Sequence, residues 1–394
     1  MREHRSLRQF RPQKKPTLML IAPFNNPHIV PFYEQVALSE KFDSTRVSLK
    51  PISNDRKRLG WKEMENNNHW LQPWRSIQER FKYYKRLITA DIVVFPGFFH
   101  TRFLPFDHLI RRVTLRKTLL WSEPFLDHPR SKQESKFKRL LRRVILTPFN
   151  TSKYYFLAMG AGAESDYRKI GMSRWNYRQF LFTVQTNPKP TESIVTAKDG
   201  VRKIVFSGSL THRKGVDLLM KAVSLISKEK TPYHLTILGD GPMRQQLEIM
   251  TVELGIHDSV SFIGAKPIDE VRDILLQQDL LVLPSRFDGW GAVVNEAMEC
   301  SLAVITSDQV GARRPLIVEG HNGYVFKSDS YFDLHKKIQL AISDLQELTQ
   351  MKTNSRKHIE KYSCHSVARD FLNFCDALNS GDLFTPSSEV LKTV

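Results

Sequence analysis

Short apolar runs alternate with segments of helical period along the chain. In the first half, apolar runs at 17–24, 91–98 and 118–125 predict buried strands, and the segments 31–42 and 135–146 predict amphipathic helices. In the second half, strands are predicted at 203–210, 233–241, 259–265, 280–285 and 302–307, and helices at 215–228, 242–255, 268–278 and 291–300. Nearly continuous apolar strands between helices are typical of a parallel sheet covered on both faces. The pattern occurs twice, so the sequence predicts an α/β protein with two Rossmann-like domains.

A polar stretch that contains Pro, Thr and Gly separates the two halves. We therefore expect a first domain over 1–186, a linker over 187–200, a second domain over 201–375, and the end of a C-terminal helix with a tail over 376–394. A chain of 394 residues is long enough for two such cores.

Composition indicates a soluble protein of a reducing compartment. The cysteines Cys300, Cys364 and Cys375 show neither metal-ligand nor disulfide spacing, which favours a cytoplasmic setting. No apolar run approaches the roughly 18–20 residues of a membrane span. The basic N-terminus leads into only a short apolar strand, so a secretory signal is not expected.

The net charge of +18 is concentrated in one half of the chain. Residues 1–200 contain 37 Lys and Arg against 17 Asp and Glu, whereas the remaining residues are close to neutral. Scattered solvated lysines would not produce this division, which favours different partners for the two halves. The segment 130–143 is the most basic, and Phe137, Leu140, Leu141 and Val144 recur in and just after it at helical spacing. It predicts either a helix packed on its own sheet with a solvated basic face, or an interfacial helix at an anionic membrane.

The segment 285–300, SRFDGWGAVVNEAMEC, places two carboxylates on either side of a glycine loop. The loop follows a predicted strand, where ligands of open parallel sheets bind. Gly289 and Gly291 leave bare amides before a helix, an arrangement that suits a phosphate. Glu296 would lie about one turn into the helix and accept hydrogen bonds from a ribose diol, while Asp288 would reach sugar hydroxyls. Asp288 as a helix N-cap and Glu296 as a solvated residue are the alternatives.

Two further loops follow strands of the second half. In SGSLTHRKGVDLL (207–219), Arg213 and Lys214 precede a helix and could balance the charge of a diphosphate, although such a pair is also common on surfaces. In LGDGPM (238–243), two glycines form a turn, which alone is a weak signal.

Taken together, these loops resemble those of a known enzyme family. The motifs GSLTHRKGVDLL, LTILGDGP, VSFIGAKP and LPSRFDGWGAVVNEAMEC occur in order. They resemble the C-terminal domain of the family 4 (group 1) retaining glycosyltransferases, which have the GT-B fold. The resemblance is specific over about 200–375 and mostly architectural over 1–186. In the family, two acids form a Glu-any-seven-Glu pattern, and Asp288 and Glu296 match its spacing with Asp in the first place.

The resemblance implies roles for individual residues. Glu296 would bind the nucleotide ribose, and Asp288 with the amides of Gly289–Val293 would hold the donor sugar and its phosphates. The catalytic candidates are Lys214, Arg213, Asp288, Glu123 and His100. The donor-binding candidates are Gly208, Ser209, Gly239, Gly241, Ile263, Gly264, Asp288, Gly289, Trp290, Gly291, Ala292, Val293 and Glu296.

The chain departs from the family pattern at three places. Gly208-Ser209 stands where the family usually has Gly-Arg, so we take Arg213, beside the matching Lys214, as the candidate for the missing cation. Asn25-Asn26 replaces the usual Gly-Gly of the first domain, a turn that Asn tolerates. The family often has a histidine after the third N-terminal strand, where this chain has Glu123; His100 is the other ionisable candidate.

The expected activity is transfer of a sugar from a nucleoside diphosphate sugar (UDP- or GDP-sugar) to an acceptor hydroxyl with retention, in bacterial cell-surface polysaccharide or lipid-linked glycan synthesis. No Asp-any-Asp pair is present, so neither a metal nor a prosthetic group is expected. The expected partners are the donor, a glycan or lipid-linked acceptor, and an anionic membrane at the inner face of the cell membrane. The alternatives are a nucleotide-sugar epimerase of the GT-B type, which needs no acceptor, and a basic nucleic-acid-binding protein, for which no aromatic and cationic platform is found.

Overall fold

The structure is a computed structural model with two parallel sheets. It describes residues 15–24, 28–53, 70–98, 104–124, 136–160, 162–181, 183, 200–228 and 232–381. The expected turn at Asn25-Asn26, the candidate His100 and the expected linker 187–200, except Gly200, lie outside the described residues.

The first sheet has seven parallel strands in the order β3-β2-β1-β4-β5-β6-β7. The strands are β1 (Thr17–Ala22), β2 (Asp43–Ser48), β3 (Trp70–Leu71), β4 (Ile92–Phe95), β5 (Lys117–Ser122), β6 (Tyr154–Met159) and β7 (Asn176–Phe180). All residues of β1, β4 and β6 are buried. Their apolar runs are thus explained by helices on both faces of the sheet.

In the described part of the first domain, the helices between these strands are α1 (Val30–Ala37), α2 (Ile77–Thr89), α3 (Leu104–Val113), α4 (Lys136–Leu146) and α5 (Ala163–Lys169). Alternate residues of β1 enter two different cores. Leu18 and Leu20 share a core with Phe32 of α1, whereas Met19 and Ile21 share one with Leu87 of α2 and Leu146 of α4. Therefore α1 lies on one face of the sheet, and α2 and α4 lie on the other.

The second sheet has six parallel strands in the order β10-β9-β8-β11-β12-β13. The strands are β8 (Arg202–Ser207), β9 (Tyr233–Leu238), β10 (Val260–Gly264), β11 (Leu280–Leu283), β12 (Ala303–Ser307) and β13 (Gly323–Phe326). The helices are α6 (Val216–Lys228), α7 (Arg244–Glu253), α8 (Ile268–Leu276), α9 (Val293–Glu299), α10 (Arg313–Leu316), α11 (Tyr331–Ile342) and α12 (Leu345–Glu360). The expected pair of Rossmann-like domains is confirmed.

The last described helix, α13 (Cys364–Ser380), returns to the first domain. The ring of Phe371 lies 5.4 Å from that of Phe32 in α1, and Lys117 at the start of β5 donates to the backbone oxygen of Leu378. The boundary expected at residue 375 falls inside this helix. It stays a prediction, as do the other domain limits.

Several elements were not predicted from the pattern. Strand β2 reads DSTRVS, and only its second half is buried, so it lacks an apolar run. Helix α1 ends at Ala37, earlier than the expected residue 42, because the chain must turn to enter β2 at Asp43. Among the described helices, none has the length and apolar character needed to cross a bilayer.

Candidate active site in the cleft between the domains

Loops from the two sheets meet where their strands end. Gly160 follows β6 in the first domain, with a φ of +84°. A methyl group built on it would lie 2.8 Å from the carbonyl oxygen of Gly289 and 3.1 Å from the Cα of Gly311, both in the second domain. The backbones thus approach as closely as only glycine allows. The loop that carries the two predicted carboxylates therefore lines a cleft between the domains.

The loop between β11 and α9 is fixed mainly by backbone hydrogen bonds. The Asp288 amide donates to the carbonyl oxygen of Gln309 at 3.0 Å. The carbonyl oxygen of Asp288 accepts from the Gly311 amide at 3.0 Å, and that of Trp290 accepts from the Ala312 amide at 2.8 Å. Trp290 is buried, and its Nε1 donates to Asn295 Oδ1 at 2.8 Å. The Trp290 side chain thus anchors the loop from inside. Only its backbone remains for a ligand.

The Asp288 carboxylate binds the cations of the loop after β8. Lys214 Nζ lies 2.5 Å from Asp288 Oδ2, and Arg213 Nη1 lies 3.8 Å from Oδ1. Arg213 also donates to the Phe287 carbonyl oxygen at 2.8 Å. Helix α9 starts at Val293 with Ala292 at its N-cap and no side-chain cap, so the capping role considered for Asp288 is not observed. The structure thus brings together residues that are 74 positions apart in the sequence.

Arg286 organises this region and was missed by the sequence reasoning. Its guanidinium donates to both carboxylate oxygens of Asp217 (2.8 and 2.7 Å), to Asp329 Oδ1 (2.6 Å) and to the carbonyl oxygen of His212 (2.7 Å). The Arg286 amide also donates to the carbonyl oxygen of Arg213 at 2.8 Å. The turn that carries Lys214 is therefore held by Arg286. The sequence feature that could have identified Arg286 is its position two residues before Asp288.

These contacts perturb the pKa of both partners. Burial raises the pKa of Asp217, but hydrogen bonds and charge from Arg286 outweigh it and hold the pKa below its usual value. The hydrogen bond with Asp217 raises the pKa of Arg286 against the opposing effect of burial. Both groups are therefore charged near neutral pH, and the pair is a charge-assisted, two-pronged contact.

Glu296 lies in the first turn of α9 and faces the first domain. Its Oε1 lies 3.4 Å from Nδ1 of His28, which follows β1. The predicted position of Glu296 about one turn into the helix agrees with α9 starting at Val293. His28 was not among the sequence candidates, because only the approach of the two domains brings it to Glu296.

Glu123 directly follows β5 and lies against the Asp288 loop. A methyl group built on Gly289 would overlap the Glu123 carboxylate. The Glu123 side chain is exposed to solvent in the cleft, although many protein atoms of both domains lie around it. Desolvation by these atoms raises the pKa of Glu123 to about 7, and the negative charge of Asp288 adds to the effect, whereas Arg213 and Lys214 oppose it. Glu123 therefore changes its protonation near neutral pH.

The predicted glycine turns lie side by side at the same sheet edge. The Gly208 amide donates to the Leu238 carbonyl oxygen and the Gly239 amide to that of Gly264, both at 2.9 Å. A methyl group built on Gly239 would overlap the carbonyl oxygen of Gly208, and one built on Gly241 would lie 2.5 Å from that of Leu210. Ser209 is exposed beside these turns, and Ile263 is partly buried at the end of β10.

In this cleft the cations Arg213 and Lys214 contact the Asp288 carboxylate. Among the described residues, no group of three or more His, Cys, Asp or Glu side chains is arranged to hold a metal ion. The cleft combines the cations Arg213 and Lys214, the carboxylates of Asp288, Glu296 and Glu123, and a glycine-rich backbone. Such a set suits a ligand that carries both phosphates and hydroxyl groups.

Residues 189–358, less than half of the chain, match the family model described as Glycosyl transferases group 1. This part of the chain is a group 1 glycosyl transferase domain. It includes the turn with Arg213 and Lys214, the Asp288 loop and Glu296. Glu123, His28 and Gly160 lie outside the matched residues, on the other side of the cleft.

Curated relatives match the group 1 domain over a similar extent. An α-1,4-N-acetyl-D-galactosaminyltransferase of Campylobacter jejuni, named for a diphospho-undecaprenol-linked substrate, is 26% identical over 170 residues, 43% of this chain and 46% of the relative. A D-inositol 3-phosphate glycosyltransferase of Gordonia bronchialis is 28% identical over 188 residues, 45% of this chain and 41% of the relative. The chain thus matches less than half the length of these relatives.

Solved structures match nearly the whole chain. HepE of Anabaena in complex with UDP and glucose has a TM-score of 0.66 at 13% identity and covers 92% of this chain and 100% of its own. The sucrose-phosphate synthase of Thermosynechococcus elongatus has a TM-score of 0.68 at 15% identity and covers 93% and 100%. At such identities the likeness concerns the fold alone. The chain has the GT-B fold expected from its sequence.

Proposed function

We propose that the protein is a retaining glycosyltransferase that moves a sugar from a nucleoside diphosphate sugar to an acceptor hydroxyl. The observation that carries this proposal is the contact of Lys214 with Asp288, 2.5 Å across the loops after β8 and β11. In this proposal, Lys214 serves as the cation for the diphosphate, and Asp288 beside it serves as the carboxylate for the sugar hydroxyls. The family of the second domain and the fold of the chain support the same reaction class.

Lys214 and Arg213 would stabilise the leaving diphosphate. When the bond between the anomeric carbon and the diphosphate oxygen breaks, negative charge increases on the diphosphate. Cations held in place before the reaction stabilise that charge without a reorganisation cost. In this proposal, donor binding separates Lys214 from Asp288, so that Lys214 turns to the phosphate and Asp288 to the sugar. The loop amides of Gly289–Val293 contact the phosphates.

Glu296 would bind the two ribose hydroxyls of the donor. Its carboxylate is 24% exposed and therefore accessible from the cleft. In the structure it contacts His28, so the ribose would replace or share this contact. Glu123, whose pKa is raised to about 7, would lie beside the sugar and exchange a proton there at neutral pH. His100 remains the second ionisable candidate proposed from the sequence.

The donor and acceptor classes are proposals supported by the relatives. HepE was solved with UDP and glucose, which favours a UDP-sugar, with a GDP-sugar next. Both named relatives act on substrates that carry phosphate in their names. We propose a glycan or lipid-linked acceptor of bacterial cell-surface synthesis, used on the cytoplasmic side of the membrane. The buried cysteines Cys300, Cys364 and Cys375 remain as thiols, which suits that reducing compartment.

Thermal unfolding with UDP, GDP and ADP, followed by a transfer assay, tests this function. A nucleotide at about 100 times its Kd adds roughly 2.7 kcal/mol of stability. We expect one nucleotide to raise the Tm, and the Glu296→Ala variant to lose the rise. Glu248→Ala is the matched control, because Glu248 pairs only with Arg244 on the surface of α7 among the described ion pairs. Glycosyl product should form only when an acceptor is supplied; product without an acceptor would favour an epimerase.

A further inference from the structure

Three helices of the first domain lie side by side on the face of the sheet opposite α1. Tyr83 of α2 donates to Asp107 of α3 at 2.7 Å, and the ring of Tyr84 lies 6.3 Å from that of Phe106. Arg112 at the end of α3 donates to the carbonyl oxygen of Pro148, just after α4, at 3.0 Å. Helices α2, α3 and α4 therefore form a continuous outer surface, which we call the three-helix face.

The three-helix face exposes large apolar side chains. On α4, Phe137 is 71% exposed, and Leu140, Leu141 and Val144 follow it at helical spacing. On α3, Val113 is 74% exposed. On α2, Ile77 is 83% exposed and Phe81 is 71% exposed. Extended apolar surfaces of this kind usually mark an interaction site.

The apolar stripe of α4 does not pack on the sheet of its own domain. Among the residues of α4 whose burial is described, Leu146 alone is buried. An amphipathic helix of a globular domain normally turns its apolar stripe to the core. Phe137, Leu140 and Val144 do the opposite. The alternative of an inward apolar stripe with a solvated basic face is therefore wrong for α4.

Cations accompany the apolar residues. Helix α4 reads KFKRLLRRVIL and contains five cations and no acid. The acids of the neighbouring helices are already engaged, since Glu79 accepts from Lys82 at 3.0 Å and Asp107 is buried against Tyr83. A partner that covers this surface must therefore offer both apolar material and negative charge.

We propose that the three-helix face docks on an anionic lipid bilayer. Acyl chains would take up the exposed apolar side chains, and anionic headgroups would neutralise the surrounding cations. A second copy of this chain fits poorly, because a two-fold contact would place the same cations against each other. The proposal does not depend on the donor chemistry, since the three-helix face is formed by elements other than the loops that contain Asp288 and Glu296.

Vesicle sedimentation tests the proposal. The full chain is mixed with vesicles of phosphatidylcholine alone, or of phosphatidylcholine with phosphatidylglycerol. We expect binding to the anionic vesicles and little to the neutral ones. Salt screens the attraction between the cations and the anionic headgroups. Binding should therefore weaken in 0.5 M salt, where the Debye length is roughly 4 Å. Part of the vesicle binding should remain at this salt concentration, because the apolar contacts are not screened.

Matched variants separate the apolar contribution from the charge. Replacing Phe137, Leu140 and Val144 by Gln should weaken partition to anionic vesicles about tenfold or more, since each buried apolar side chain contributes substantially. Replacing Lys136, Lys138 and Arg143 by Gln should weaken it similarly at low salt. Glutamine keeps the helix propensity high. The control replaces Val252, Phe332 and Leu340, exposed apolar residues of the second domain, by Gln and should bind like the wild type.

The outcomes decide between occupants. Absence of vesicle binding, or a Phe137/Leu140/Val144 variant that binds like the wild type, overturns the proposal. Equal binding to neutral and anionic vesicles overturns its electrostatic part. A concentration-dependent dimer that the same substitutions abolish identifies a second copy as the occupant and also overturns it. Nucleotide binding and circular dichroism should be unchanged in all three variants, so that a failure of the donor site or of folding is recognised separately.

Discussion

Arg286 binds Asp217 through two hydrogen bonds of 2.8 and 2.7 Å, and in doing so fixes the turn that presents Lys214 to the cleft. Arg286 is therefore a positioning residue for the proposed reaction, two residues before Asp288. The relationship is geometric, because a planar guanidinium matches both carboxylate oxygens and an ammonium group does not.

The Arg286→Lys variant should lower kcat about tenfold and change nucleotide affinity much less, because the charge remains but the turn loses its paired hydrogen bonds. Asp217→Asn should behave alike. Steady-state transfer kinetics and calorimetry with the preferred nucleotide measure the two effects. Arg168→Lys, which alters an exposed pair with Glu164 on α5, is the control. Equal losses in kcat and in nucleotide affinity would contradict a positioning role.

The Glu296→Ala variant should weaken nucleotide binding itself. Hydrogen bonds to a charged group contribute on the order of 1.5–3 kcal/mol, so the Kd should rise roughly tenfold to a hundredfold. Titration calorimetry with the nucleoside diphosphate measures this directly. His28→Ala tests the observed contact at 3.4 Å. If Glu296→Ala binds the nucleotide like the wild type, the proposed ribose contact is wrong.

The Lys214→Ala variant should lower turnover far more than it raises the donor KM. Its charge acts mainly as the diphosphate leaves, and loss of one such donor costs about 100-fold or more in kcat. Arg213→Ala should have a smaller effect, since Arg213 lies 3.8 Å from Asp288. Lys221→Ala, an exposed lysine on α6, is the control. Near-normal turnover of the Lys214 variant would exclude the assigned role.

Glu123 should make stability depend on pH around neutrality. Its pKa is raised to about 7 in the folded protein, mainly by burial, against about 4.3 for a free glutamate. The folded state thus holds the proton more tightly. The stabilisation is complete below the free pKa and is lost as the pH rises through about 7.

The Glu123→Gln variant stays neutral at every pH and isolates this effect. We expect the Tm of Glu123→Gln to rise relative to that of the wild type as the pH increases from 5 to 8, because only the wild type acquires a second negative charge beside Asp288. All other groups titrate in both proteins. A difference in Tm that does not change with pH would show that Glu123 keeps an ordinary pKa.

Gly160→Ala should impair closure of the cleft. The added methyl group would meet the carbonyl oxygen of Gly289 at 2.8 Å. Gly162→Ala is a matched control, because Gly162 also has a positive φ (+99°) but its nearest neighbour would be Pro124 Cβ at 3.9 Å. Both variants carry similar backbone strain of about 1–2 kcal/mol. We expect only Gly160→Ala to lose most transfer activity, and equal losses would trace the effect to strain.

Local patterns were sufficient for much of the second domain. The apolar runs of β8, β9, β11 and β12 and the glycines after them predicted a ligand edge, and Glu296 lies where its spacing to Asp288 indicated. These features depend on residues near one another in the chain.

Contacts between the domains were beyond the reach of local patterns. His28 meets Glu296, and Glu123 meets Gly289, only because two separately folded sheets face each other. Periodicity also failed to tell which way α4 points, since a stripe such as Phe137 and Val144 has the same spacing whether it faces a core or the outside. The Arg286 contacts lie within the second domain, but local patterns could not predict them either, because Arg286 and Asp217 of α6 are 69 positions apart in the sequence.

Because helix α13 packs on the first domain, the two halves of the chain cannot be exchanged between proteins as independent units. The rings of Phe32 and Phe180 lie 5.4 and 6.1 Å from that of Phe371. A residue near the C-terminal end of the chain therefore packs into the core of the first domain. A chimera that exchanges donor specificity between relatives must therefore take a middle segment and leave both flanks from one parent. A single junction in the linker would pair an α1 from one protein with an α13 that evolved against another.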